Sequence, residues 1–153
     1  MSQQTPLSYA LLATGILILL PHTAAHADME VNPNDYAAVQ TGLPQAQTEG
    51  NITYITGGFG DEERIAIEQS RKNYNLYITH ADYDGAYTGR VSILILNSEG
   101  EAVLHADSGP LFNAKLMPGR YTVEARMDGQ NITRNITIAR GKSQTLDLKW
   151  RAQ

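Results

Sequence analysis

The chain has no cysteine, so no disulfide holds it and no thiolate serves as nucleophile or metal ligand. Aromatic residues are few, with a single tryptophan, and stability must come from aliphatic packing. Charge is also unevenly absent: residues 1–27 contain no Lys, Arg, Asp or Glu. The apolar run from Ala10 to Leu20 is eleven residues long, whereas a helix crossing a bilayer takes about 20. With Pro21 and the small-residue site Ala25-His26-Ala27 behind it, this stretch reads as a signal peptide cut between Ala27 and Asp28. No stable membrane span is expected after cleavage. Without a cysteine, it cannot be a lipoprotein signal.

The net charge of −4 falls on the rest of the chain, and the twelve basic residues are scattered along it. A phosphate-binding surface for nucleic acid needs concentrated positive charge, so nucleic acid is not an expected partner. Residues 28–50 are polar, carry Pro33 and Pro44, and have no sustained periodicity; they read as a flexible leader. One domain over 51–153 is expected.

What is present is alternation. From Leu111 to Trp150, apolar residues recur at every second position through segments broken by Pro118-Gly119, Asp128-Gly129 and Arg140-Gly141. Tyr121, Val123, Ala125 and Met127 share one strand face, and Thr122, Glu124 and Arg126 the other. Asp128-Gly129 suits a two-residue hairpin loop, which sets Tyr121 opposite Ile136 and Ala125 opposite Ile132. Arg134 interrupts the second apolar row, which implies a bulge or an edge strand. Leu146, Leu148 and Trp150 form a last inward row.

Upstream, Ile52 to Ile55 and Asn75 to Thr79 read as strands. Between them Asp61 to Lys72 reads as a helix, capped by Asp61, with Ile65 and Gln69 on one stripe and Ala66 and Ser70 beside it. Arg90 to Leu96 is apolar on both faces and is expected to be covered twice, once by the opposing sheet and once by the helix or the leader. The fold class is therefore mainly β: an immunoglobulin-like antiparallel sandwich of about eight strands with one short inserted helix.

Leu116-Met117-Pro118-Gly119-Arg120-Tyr121-Thr122-Val123, the Asp-Gly hairpin and the ending Leu146-Asp147-Leu148-Lys149-Trp150 resemble the carboxypeptidase regulatory-like domains. These are prealbumin-like sandwiches marked by a Leu-x-Pro-Gly-x-Tyr-x-Val segment. Tyr54 to Gly58, Asp61 to Arg64 and Tyr74 to Leu76 are similar to small exported bacterial proteins carrying one such domain. The resemblance implies an accessory, binding or stalk module, not peptidase activity.

No catalytic residue is expected, and no cofactor. Gly57-Gly58-Phe59-Gly60 lacks the spacing of a phosphate loop, and Asp61, Glu62 and Glu63 after it would repel an anion. His80, Asp82 and Asp84 are the candidate metal ligands, although the loop lacks the first and last acidic ligands of a calcium site. They would carry the alternative of a small metal-dependent or hydrolytic enzyme. Phe59, Tyr83 and Tyr87 are candidates for stacking on sugar rings, the mark of a carbohydrate-binding module. The leading expectation is a non-catalytic binding or structural module of the periplasm or envelope, with an envelope protein or a glycan as partner.

Overall fold

The computed structural model describes residues 42–151; the expected signal peptide, its cleavage site at Ala27-Asp28 and most of the leader lie outside the described residues. Nine strands and one helix follow in order: β1 (Gln47–Glu49), β2 (Ile52–Gly57), α1 (Asp61–Ser70), a 3-10 turn (Arg71–Asn73), β3 (Leu76–Asp82), β4 (Val91–Leu96), β5 (Ala102–Ser108), β6 (Leu111–Lys115), β7 (Gly119–Met127), β8 (Gln130–Ile138) and β9 (Gln144–Trp150). They form a five-stranded sheet, β1-β2-β6-β3-β9, and a four-stranded sheet, β5-β4-β7-β8. All pairs are antiparallel except β3 with β9, which runs parallel.

The two sheets share one core. Ile52, Tyr54, Leu76, Ile78, Phe112, Leu148 and Trp150 meet Val91, Ile93, Ile95, Leu104, Val123, Ala125 and Ile138 from the facing sheet. The mainly β sandwich expected from the alternation is thus the observed fold, and every core position keeps the period of two. The leader expected to run to Gly50 gives way to β1 by Gln47, which pairs with Tyr54. Pairing also accounts for Tyr54, whose hydroxyl donates to Gln47 Oε1 at 2.9 Å.

The β7–β8 hairpin has the expected register, with Tyr121 opposite Ile136 and Ala125 opposite Ile132. Asp128 (φ 49) and Gly129 (φ 75) both take the left-handed conformation that such a loop demands. Arg134 stands opposite Val123 in an unbroken ladder, so its side chain reaches water because β8 is an edge strand and no bulge is needed. In the Pro-Gly-x-Tyr segment, the Tyr121 hydroxyl donates to Met117 O at 2.9 Å. This bond ties down the crossing between sheets, the role of a tyrosine corner.

Double cover falls on a different strand from the one expected. The helix packs on β2 and β6, where Ile67 sits against Ile55 and Leu111 on the outer face of the five-stranded sheet. Strand β6, central in that sheet, is buried on both faces from Leu111 to Ala114. Its one polar residue there, Asn113, donates to Ile67 O at 3.2 Å, so its burial carries no unpaired amide. Leu94 and Leu96 of β4 remain half-buried. The physical reason is local: Ile55 and Leu111 offer the helix an apolar floor beside the strand from which it emerges.

The helix also turns a different face inward. Ile67 is 0% exposed, whereas Ile65 is 56% exposed. Its N-cap is Gly60, without a side-chain bond, and Asp61 lies inside the first turn. Three acidic residues in that turn still favour the helix through its dipole.

Sheet-to-sheet crossing between β5 and β6 requires a close backbone approach. A Cβ on Gly109 would come within 2.6 Å of Gly57 O. Thr56 Oγ1 closes the contact, accepting from Gly109 N at 2.9 Å and donating to Leu111 O at 2.9 Å. Gly109→Ala is therefore expected to lower stability by about 2 kcal/mol or more, read from the denaturant midpoint, because the atoms that the new methyl would strike, Gly57 O, C and Cα, all belong to backbone.

Candidate functional site

Strand β2 ends at Gly57 (φ 152) and is followed by Gly58 (φ 95), conformations closed to most side chains, and the chain turns there into the helix. Glu63 Oε2 accepts from Gly58 N at 2.8 Å and Phe59 N at 3.1 Å. The loop's inward amides thus hold the protein's own carboxylate, in the manner of half a capping box. Phosphate would have to displace it.

Phe59 is driven outward by this arrangement and is 63% exposed. Its ring lies over Gly89, where an added Cβ would come within 2.7 Å of two ring carbons and 2.9 Å of Pro110 Cδ. Tyr87, two residues earlier, is 53% exposed. The Arg64 guanidinium sits 5.4 Å from its ring centroid, while pairing with Asp61 and reaching Gly58 O. Helix and connection 83–90 therefore bring Phe59, Arg64 and Tyr87 to one end of the sandwich.

Beside Phe59 is a shallow cavity of about 250 Å³, walled by Arg90, Asp107 and Ser108 over the Gly57 to Gly109 approach. Arg90 has φ 61, a left-handed conformation that costs a non-glycine residue about 1–2 kcal/mol. Strain of this kind persists only where surrounding structure imposes it. Here it brings Arg90 into the lining of a shallow cleft beside an exposed ring. Sequence reasoning names Phe59 and Tyr87 but misses Arg64, Gly89, Arg90 and Asp107. No local pattern marks a strained arginine, and Asp107 reads only as a wet strand residue.

The other candidates are dispersed. Tyr83 is exposed in the turn after β3, as is Asp84. The Asp82 carboxylate accepts from Ala86 N at 2.9 Å, fastening the turn. His80, expected as a partner of these carboxylates, is instead 0% exposed in the core. Trp150 Nε1 donates to its Nδ1 at 3.4 Å, which places the imidazole proton on Nε2, an atom with no partner. Burial pushes the imidazole down from 6.5 to about 4. The arrangement His80, Asp82, Asp84 is thus not a ligand set, and among the described residues no three His, Asp or Glu side chains converge as metal ligands. His105, on the outer face of β5, meets Ser92 Oγ through Nε2 at 3.1 Å.

The class defined by these features is a two-sheet β sandwich with an aromatic and cationic cluster at one end. Among the described residues no helix is long and apolar enough to cross a membrane. Comparison with protein-family models gives no match, and comparison with curated proteins gives none either.

Proposed function

We propose that this chain is an exported binding module of the periplasm or envelope, related to the carboxypeptidase regulatory-like domains. It works without catalysis, and its recognition surface is the end carrying Phe59, Tyr87 and Arg90. The observation that supports this most is Arg90 held at φ 61 beside an exposed ring and an acidic wall residue, since a position chosen for stability alone would be glycine. A saccharide suits such a surface. Its C–H faces stack on flat rings, and its hydroxyls bond to a guanidinium and a carboxylate.

The test is a glycan array that includes peptidoglycan fragments, followed by titration of any hit. Phe59→Ala and Arg90→Gly are each expected to weaken binding by about tenfold. Arg90→Gly is expected at the same time to raise stability by about 1 kcal/mol, as the strain is released. An array that stays blank removes the saccharide. Metal bound in stoichiometric amount, with unfolding on chelation, would turn the reading toward the metal-dependent or hydrolytic enzyme.

A further inference from the structure

Seven of the twelve basic residues lie in three segments, 71–79, 113–123 and 134–146, that contain no Asp or Glu. Scattered in sequence, three of them meet in space. Lys72 of the 3-10 turn, Lys115 at the end of β6 and Lys142 in the turn before β9 line one cavity of about 290 Å³ with Asn75, Tyr77 and Ser143. This cavity is at the far end of the five-stranded sheet from Phe59, because β6 runs from Leu111 beside Gly57 to Lys115 beside Thr53.

We infer that this cavity is an anion site for a phosphate monoester. Its frame is built on one residue. Asn75 Nδ2 donates to Leu116 O and Asn75 Oδ1 accepts from Leu116 N, both at 2.8 Å, while Gln144 N donates to Asn75 O at 2.8 Å. The segments bearing Lys115 and Lys142 are thereby tied to the strand that follows Lys72. Two carbonyls of the turn are already engaged: Arg71 O accepts from Tyr74 N at 3.0 Å, and the single Tyr77 hydroxyl proton is shared between Arg71 O and Tyr74 O, each at 3.1 Å. The neighbouring Arg71 is committed too, paired with Glu68 at 2.8 Å and stacked 4.2 Å over Tyr77. None of the three lysines has a carboxylate partner among the described residues.

Three uncompensated ammonium groups around a small polar cavity fit a compact dianion carrying a small esterified group. An extended polyanion is a poorer fit, because the chain as a whole carries −4 and would repel the rest of it. The site is independent of the aromatic end and stands or falls without it.

The test uses the purified protein with two probes: inorganic phosphate, and phosphatidylcholine vesicles containing phosphatidic acid. Phosphate is expected to shift the amide resonances of Gly141, Lys142 and Ser143 saturably. The triple variant Lys72→Gln, Lys115→Gln, Lys142→Gln is expected to weaken binding by about tenfold or more, and the triple Lys→Arg variant to keep it within about threefold. All three lysines are exposed, so the unfolding midpoint should stay put and confirms that the fold is intact. Saturable binding of either probe that the glutamine variant loses upholds the site. Preference for free phosphate then identifies a soluble ligand, and preference for vesicles a lipid headgroup. Absence of binding to both probes, or binding that the glutamine variant retains, overturns it.

Discussion

Phe112→Ala is expected to destabilise the protein by about 3–5 kcal/mol. Phe112 is 0% exposed on the central strand of the five-stranded sheet, and its ring stacks on Tyr54 with centroids 5.5 Å apart and planes at 21°. Removing it forfeits both the transfer of a large apolar side chain and the aromatic contact. The cavity left behind cannot collapse readily, because β6 is held on one side by β2, on the other by β3, and from outside by the helix. Phe112→Leu, which keeps most of the volume, should cost clearly less. Ile65→Ala on the outer helix face should stay within about 0.5 kcal/mol, since that residue is 56% exposed and outside both core clusters. Urea midpoints for the three variants decide the matter, and a Phe112→Ala loss below about 1 kcal/mol would contradict the doubly covered strand.

Stability should also fall on mild acidification, through His80. In the unfolded chain an imidazole titrates near 6.5, whereas burial pushes His80 in the fold down to about 4. The unfolded form takes up its proton first. Its contribution is therefore complete above pH 6.5, is lost as the pH falls from 6.5 to about 4, and changes no further once both forms are protonated. The full loss is about 3 kcal/mol. Carboxylates titrate lower and would blur the acid limb, so the measurement is the difference between wild type and His80→Leu across that range. The variant should lack the slope. At neutral pH it should lie within about 1 kcal/mol of wild type, because deleting the unpartnered Nε2 offsets the lost acceptor of Trp150. A wild-type slope that survives His80→Leu would assign the acid sensitivity elsewhere.

Features set by neighbours in sequence were readable before the fold was known. Asp128-Gly129 determines the register of the residues around it, and the position of Tyr121 opposite Ile136 follows from counting outward. The helix was readable as a segment, from its acidic first turn and the glycines before it, but its orientation was not. Ile65 and Ile67 lie on opposite faces of a short helix, and the choice between them is made by Ile55 and Leu111, one before the helix and one far beyond it. The same applies to function. Phe59 and Tyr87 stand out as aromatics in connecting segments, although their exposure is set by the fold, and the strain at Arg90 has no counterpart in composition. The lysines look dispersed because the segments that carry them are distant in sequence and are brought together by Asn75 and by the pairing of β3 with β6 and β9. His80 followed strand parity into the interior, where two nearby aspartates in the sequence could not follow.

The parallel pairing of β9 with β3 sets Trp150 level with Asp82 and Gln144 level with Leu76. A polypeptide delivered amino end first can form the early hairpins as it appears, but this sheet stays unfinished until its final strand is released. Until then Leu76, Ile78 and His80 have an unclaimed margin, open to the wrong chain. Acquisition of the native state should accordingly be slow and governed by the arrival of distant residues, and the interval before closure is when a holding chaperone would matter most.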